Sequence, residues 1–351
     1  MRKFLIAAAL LLVLSASAFA SEPLVIQKQG VFSSGGTVTE PLSGDFNVTD
    51  NWLDFSRAGN TAHVDHANVF YQIPVPEPDE NKAPIVYLHG YGQSRTGWQS
   101  TPDGREGWSD IFIRKGRAAF LVDQPRRGAA GNTVKIVNGE LDTRANGTEF
   151  NPGDQAWYTH FRIGRGTPNR YEGSQFPADE AALNQFLRQM TVNTGNYDVV
   201  IMGNALSAVL ADVKNITGKK AIYLTHSQGG RVGWQTDTEN MAAIVAIEPG
   251  FAPEVGSDIY KKFVAAKIPM IFYFGDYINN GPDDIKSTAF WKSVLDQCRD
   301  FAEHYNKDGG DAVVIYLPEI GITGNSHFMF QELNNKEIAE HIEQWLKSKG
   351  L

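Results

Sequence analysis

The sequence predicts an α/β protein with a mostly parallel central sheet and helices on both faces. Three observations carry this. Short unbroken apolar runs recur from residue 84 onwards: "PIVYLHG", "AAFLVDQP", "AIYLTHS", "MAAIVAIEPG", "IPMIFYFGD" and "AVVIYLP". Stretches with helical apolar spacing separate them, such as "ALSAVLADVKNITG", where Leu206, Val209, Leu210 and Val213 share one stripe. Ahead of them, "GVFSSGGTVT" and "HVDHANVFYQIPV" read as strands, the second alternating through Val69, Tyr71 and Ile73. Strands covered on both faces read as continuous apolar runs, and their alternation with helices builds parallel βα units. Period-two alternation among Gly, Ser and Thr instead predicts a half-covered β extension at the amino-terminal side.

The remaining elements follow in order. "WSDIFIRKG" reads as a helix closing on Gly116. Arg127 to Tyr197 shows little periodicity, yet its Trp, Tyr and Phe content argues against disorder. A long irregular stretch inside a compact domain is usually functional, so residues 128–197 are expected to form an inserted lid or pocket wall. "FWKSVLDQCRDFAEHYNKDG" and "NNKEIAEHIEQWLKSKG" are helices beside the last strand.

The opening residues stand apart. Met1-Arg2-Lys3 is basic, Phe4 to Ala16 is apolar, and Ala18-Phe19-Ala20 fits a small-x-small cleavage site. This predicts a secretory signal peptide over residues 1–20, with one domain over 21–351. The apolar core is shorter than the roughly 20 residues that span a bilayer. No later segment reads as a span, so the expectation is an exported protein, periplasmic or secreted. The formal net charge of −8 gives no electrostatic case for a nucleic-acid partner. Cys298, the sole cysteine, has Val294, Leu295 and Phe301 at helical spacing and reads as a buried thiol. His63, Asp65 and His66 do not make a metal site, because His66 alternates to the opposite strand face.

The run "AIYLTHSQGG" carries the chemistry. Ser227 sits where a strand ends, with Gly229 and Gly230 behind it. Ligands in open α/β sheets bind beyond the carboxyl ends of the strands. A tight strand-to-helix turn there would leave the serine oxygen exposed at a helix N-terminus. This is the nucleophile-elbow pattern of α/β-hydrolases, usually G-x-S-x-G, with Thr225 in place of the first glycine. Acyl transfer needs backbone donors for an oxyanion. The N–H of Gln228 supplies one, and the "YLHGYGQS" turn is expected to supply the other from Tyr91. His89 then shapes that turn. The base must follow the serine. His327, in the glycine-containing loop after the last strand, is expected rather than His304 or His341, which lie within helices. Two carboxylates end strands between Ser227 and His327: Asp276 in "IFYFGDYI" and Glu248 in "IVAIEPG". Residue spacing leaves both open.

From about Gly35 to its end the chain resembles a branch of secreted bacterial α/β-hydrolase esterases. The shared features, in order, are "YQIPV", "HG" before "TPDGREGW", "RKG", "DQPRRG", "THSQ", "EPG", "FGD" and "GNSHFMFQ". The resemblance accounts for Thr225, since that branch carries threonine at the same place. It implies Glu248 as the acid, with Asp276 as the alternative. It also implies a homodimer. The chain departs from the branch in carrying Tyr91-Gly92 after the His-Gly pair. The implied function is hydrolysis of a small carboxylic ester through Ser227, His327 and Glu248, without metal or organic cofactor. An amidase or peptidase would use the same three residues. A non-catalytic binding protein would normally have lost one of them. Trp98, Trp157, Tyr158 and Phe161 read equally as pocket or core. Arg162 and Arg165 could meet a carboxylate, but solvated surface is the expectation.

Overall fold

The computed structural model describes residues 22–39, 44–45, 58–59, 61–75, 82–130, 135–137, 140–142, 153–191 and 193–351. The signal-peptide reading of residues 1–20 lies outside them.

Eight strands form one sheet. They are β1 (Ile26–Ser34), β2 (Ala67–Pro74), β3 (Ile85–Leu88), β4 (Ala119–Asp123), β5 (Ala221–His226), β6 (Met241–Ile247), β7 (Met270–Phe274) and β8 (Ala312–Tyr316). Their spatial order is β1-β2-β4-β3-β5-β6-β7-β8. β2 runs antiparallel to both neighbours, and every other pairing is parallel. The amino-terminal extension therefore completes the sheet rather than standing apart. Its two expected strands are broken where the sequence carries Gly35-Gly36 and Asp65, all at positive φ. Arg126 holds the Asp65 carboxylate at 2.8 and 3.0 Å.

Eight described α-helices accompany the sheet: α1 (Trp108–Arg114), α2 (Asp154–His160), α3 (Glu180–Arg188), α4 (Val199–Thr217), α5 (Gln228–Gln235), α6 (Asp258–Ala266), α7 (Lys286–Lys307) and α8 (Asn335–Ser348). Successive strand residues point to opposite faces, and the core divides accordingly. Tyr223, Phe272 and Phe274 pack with residues of α4 to α7, including Leu206, Val209, Leu210, Val232, Phe263 and Cys298. Ile222, Leu224, Val245 and Tyr273 pack on the other face with Phe112, Phe186, Ile338 and Ile342. Cys298 is fully buried, and burial pushes its thiol upwards.

α4 starts earlier than its apolar stripe suggested, because the Asp198 side chain caps it by accepting from the N–H groups of Val200 and Ile201. By length and composition α4 is apolar enough to cross a membrane, contrary to expectation. Here it packs against α5 and the β1, β2 and β5 strands. The interval expected to be irregular holds α2, α3 and short hairpin strands at Gly164–Gly166 and Asn169–Arg170. Residues 131–134, 138–139, 143–152 and 192 of it lie outside the described residues.

Register decides where the chemistry falls. Thr225 pairs with Leu88, His226 with Ile247, Ile247 with Tyr273, and Phe274 with Tyr316. The strands thus end level, and the residues immediately after them share one edge of the sheet.

Candidate active site

Ser227 occupies the single residue between β5 and α5, at φ 51° and ψ −121°. A non-glycine residue rarely adopts this conformation, and it persists only where the surroundings over-determine it. They do so here. Ser227 N–H donates to the Ile247 carbonyl at 3.0 Å, and its own carbonyl accepts from Gly230 at 2.9 Å and Gly250 at 3.1 Å. The glycines are needed by close approach. A Cβ on Gly230 would lie 2.5 Å from Pro249 Cβ, and one on Gly90 would lie 2.9 Å from Ser227 Cβ. The "HGYG" loop therefore abuts the serine. His226 is buried, whereas Ser227 and Gln228 are half-exposed.

His327 lies in the loop after β8, with its Nδ1 2.6 Å from Glu248 Oε2. Its Nε2 is buried and makes no hydrogen bond. The ring stacks on Phe161 at 4.8 Å and lies 4.3 Å from Trp291. Burial pushes the His327 pKa down, and Arg162 adds to that against the opposing pull of Glu248. Glu248 directly follows β6 at φ 42° and is fully buried. Its Oε1 accepts from Gly275 N–H at 2.7 Å and from Arg162 Nη2. Burial alone would raise the Glu248 pKa, but Arg162, His327 and the Gly275 N–H outweigh it and hold the carboxyl low.

Asp276 does not touch His327 in this arrangement. Its two oxygens accept the backbone N–H groups of Tyr277 at 2.7 Å and Gly324 at 2.8 Å. The other histidines lie elsewhere. His341 Nδ1 meets the Tyr273 hydroxyl at 2.6 Å, and His304 Nδ1 meets the Asp300 carbonyl of its own helix.

The chain matches no protein-family model. It is similar to the solved structure of a bacterial esterase, with 28% identity and a TM-score of 0.77 over 95% of this chain and 99% of that one. The fold is that of the α/β-hydrolases. It is also 25% identical to the probable secreted lipase PhiG of Fungal sp. (strain ATCC 74256), across 80% of this chain and 86% of that protein.

In this fold several neighbours of the site were not legible as such. Arg162, expected on the surface, is buried at 1% exposure and pairs with Glu248. Its signal was its setting between Phe161 and Ile163. Arg165 is exposed, as expected, and pairs with Asp284. Trp98, Trp157 and Tyr158 are core, while Phe161 is half-buried against the His327 ring. Burial holds the His226 imidazole neutral, so one ring nitrogen donates. The ring lies between two acceptors, the His327 carbonyl 3.0 Å from Nε2 and Gln93 Oε1 2.9 Å from Nδ1. His89 shapes the turn: its Nδ1 lies 2.9 Å from the Gly90 carbonyl, and its own carbonyl accepts from Gln124 Nε2 at 2.6 Å. The Tyr91 ring stacks on Trp157 at 6.0 Å.

Glu332 is a further buried carboxylate, behind the histidine loop. It accepts from Ser326 N–H at 2.9 and 3.1 Å and from Asn325 Nδ2 at 2.8 Å. Burial pushes its pKa up to about 7. A separate cavity of about 530 Å³, lined by residues such as Lys28, Ile73, Lys82 and Lys219, opens at the amino-terminal edge of the parallel strands. That is the edge opposite Ser227, and none of Ser227, Glu248, Asp276 and His327 lines the cavity.

Proposed function

We propose that this chain is a serine carboxylesterase that hydrolyses small carboxylic esters through an acyl-enzyme intermediate. The observation that carries the reading is the His327–Glu248 pair, with the unpaired Nε2 of His327 in the same strand-end cluster as Ser227. Catalytic hydrogen bonds are often open before substrate binds, so the missing serine–histidine bond is compatible with it. Ser227 Oγ attacks the ester carbonyl as its proton passes to His327 Nε2. Glu248 fixes the imidazole with its other proton on Nδ1 and stabilises the imidazolium. The N–H groups of Tyr91 and Gln228 receive the oxyanion. His327 then protonates the departing alcohol, and water repeats the sequence to release the acid. None of these steps calls on a cofactor.

The names of the two relatives, an esterase and a probable secreted lipase, support ester chemistry and export. We extend this to a periplasmic or secreted enzyme, active as a homodimer, with the insertion over about 128–197 walling the substrate pocket. Purified protein should release alcohol from a panel of chromogenic esters varied in acyl length. Ser227→Ala should abolish that release, since loss of a triad member costs on the order of 10⁴–10⁶ in turnover. Retention of a tenth of the activity would remove Ser227 from its role. No hydrolysis by the parent protein across the panel would favour a non-catalytic binding protein.

A further inference from the structure

Two adjacent residues of the insertion reach the base and the acid together. Phe161 and Arg162 follow α2. The Phe161 carbonyl accepts the His327 N–H at 3.1 Å, and its ring stacks on the imidazole. Arg162 has φ 63°, an unusual conformation for a non-glycine residue. This turn sends its side chain inwards. Nη2 donates to Glu248 Oε1, Nε donates to the Asp276 carbonyl at 3.0 Å, and the guanidinium lies 5.4 Å over the Trp291 ring. Both oxygens of Glu248 are thereby committed: Oε2 to His327, and Oε1 to Arg162 and Gly275.

We propose that Arg162 is a positioning residue, which locks the Glu248 carboxylate in the plane that orients His327 and so makes the insertion part of the hydrolytic machinery. The proposal rests on the roles given above to Glu248 and His327. A planar guanidinium donating along two directions fixes orientation as well as charge. Without it, Glu248 keeps only the Gly275 N–H on that side, and its charge lies buried with one fewer cation to balance it.

The charged surroundings give the proposal a readout that simple packing would not move. Glu248 faces His327 from the end of β6, and Arg162 from the insertion. His226 faces it from the end of β5, held neutral by burial. Helix α7 presents the uncharged Trp291, and Glu332 and Asp276 lie behind with their oxygens on hydrogen-bond donors. The positive charge of Arg162 lowers the pKa of both His327 and Glu248. Removing it raises both, so the acid limb of the rate profile moves to higher pH.

The test uses the full-length enzyme and one chromogenic ester, with Arg162→Gln, Arg162→Lys, Glu248→Gln and the Arg162→Gln/Glu248→Gln double variant. Rates are followed across the pH range and melting curves are recorded. Arg162→Gln should lower kcat by about 10–10²-fold, the scale of a misplaced catalytic group, with KM little changed. Its acid limb should move to higher pH. Arg162→Lys keeps the charge without the fork, so kcat should fall while the limb stays near its original position. In the Glu248→Gln background, Arg162→Gln should cost less than about threefold more, because both changes break one unit. An unmoved limb in Arg162→Gln, or losses that multiply in the double variant, would reduce Arg162 to a packing residue. If Arg162→Gln does not fold, Arg162→Lys decides: unchanged kcat overturns the proposal. If Glu248→Gln itself works nearly normally, the assignment of the acid fails, and the proposal falls with it.

Discussion

At the scale of single residues, the two strand-end carboxylates differ in what they hold. Glu248 spends one oxygen on His327 Nδ1, whereas both oxygens of Asp276 accept backbone N–H groups. Glu248→Gln should therefore lower kcat by at least about 10²-fold, a conservative bound on the roughly 10⁴-fold loss seen when a triad acid becomes an amide. It also leaves Arg162 buried without its carboxylate, so its melting temperature should fall. Asp276→Asn gives up one backbone bond, which costs about 1–3 kcal/mol of stability, and should leave kcat much closer to the parent value. The opposite ranking on a common ester would return the acid to Asp276. The rate profile has a sign of its own. Because burial pushes the His327 pKa down, the enzyme keeps its base unprotonated further into acid than a free histidine would. The acid limb of kcat/KM should lie below the reference value of about 6.5, and a limb above it would contradict the buried setting of the base.

At the scale of elements, the turn from β5 to α5 depends on clearance on the side of Pro249. Gly230→Ala would place a methyl group where Pro249 Cβ stands 2.5 Å away. The contact is with a proline ring and backbone rather than the end of a flexible side chain, so the start of α5 or the Glu248–Gly250 turn must move. Since Ser227 and Glu248 sit at those two places, a small shift separates them. We expect Gly230→Ala to lose at least about tenfold in kcat, by the sensitivity of catalysis to sub-ångström placement, with the far-ultraviolet dichroism unchanged. Parent-like kinetics would show that the turn tolerates the shift. The insertion bears on the same point. Its residues Phe161 and Arg162 are bound to the histidine loop and to Glu248.

At the scale of the whole molecule, stability should depend on pH through buried histidines. His89, His226 and His327 all have their pKa values pushed down by burial. Each binds its proton less readily folded than unfolded. Their contribution is complete above about 6.5, the unfolded value, and is lost as pH falls below it. The lowered pKa of Glu248 acts in the same sense at more acid pH. Glu332 opposes them. Its carboxyl is raised to about 7, so its contribution is complete in acid and is lost as pH rises through about 7. Three histidines outweigh one carboxyl, and the melting temperature should drop as pH goes from about 7 to 5. Glu332→Gln removes the opposing group and should steepen the drop. A melting temperature flat over that range would show that the three imidazoles are charged in the folded protein.

The sequence by itself determined the sheet, and it marked Ser227 and His327 as candidates beyond the strand ends. Unbroken apolar runs read as covered strands because a strand buried on both faces has no polar side, and Gly229-Gly230 after Ser227 marked a turn with no room for side chains. Two carboxylates after successive strands, however, look alike along a chain. The resemblance favoured Glu248, and the register that ends β6 and β7 level, with the loop after β8, puts the Glu248 carboxylate on His327 Nδ1. Arg162 was further from reach. An arginine among aromatics and glycines carries no periodic signal, and its burial depends on a carboxylate 86 residues away that exists as a partner only after folding. The part of α4 before its apolar stripe and the helices of the insertion were missed for a related reason. Short segments take their stability from the surface they cover rather than from propensity, and that surface is set by the rest of the molecule.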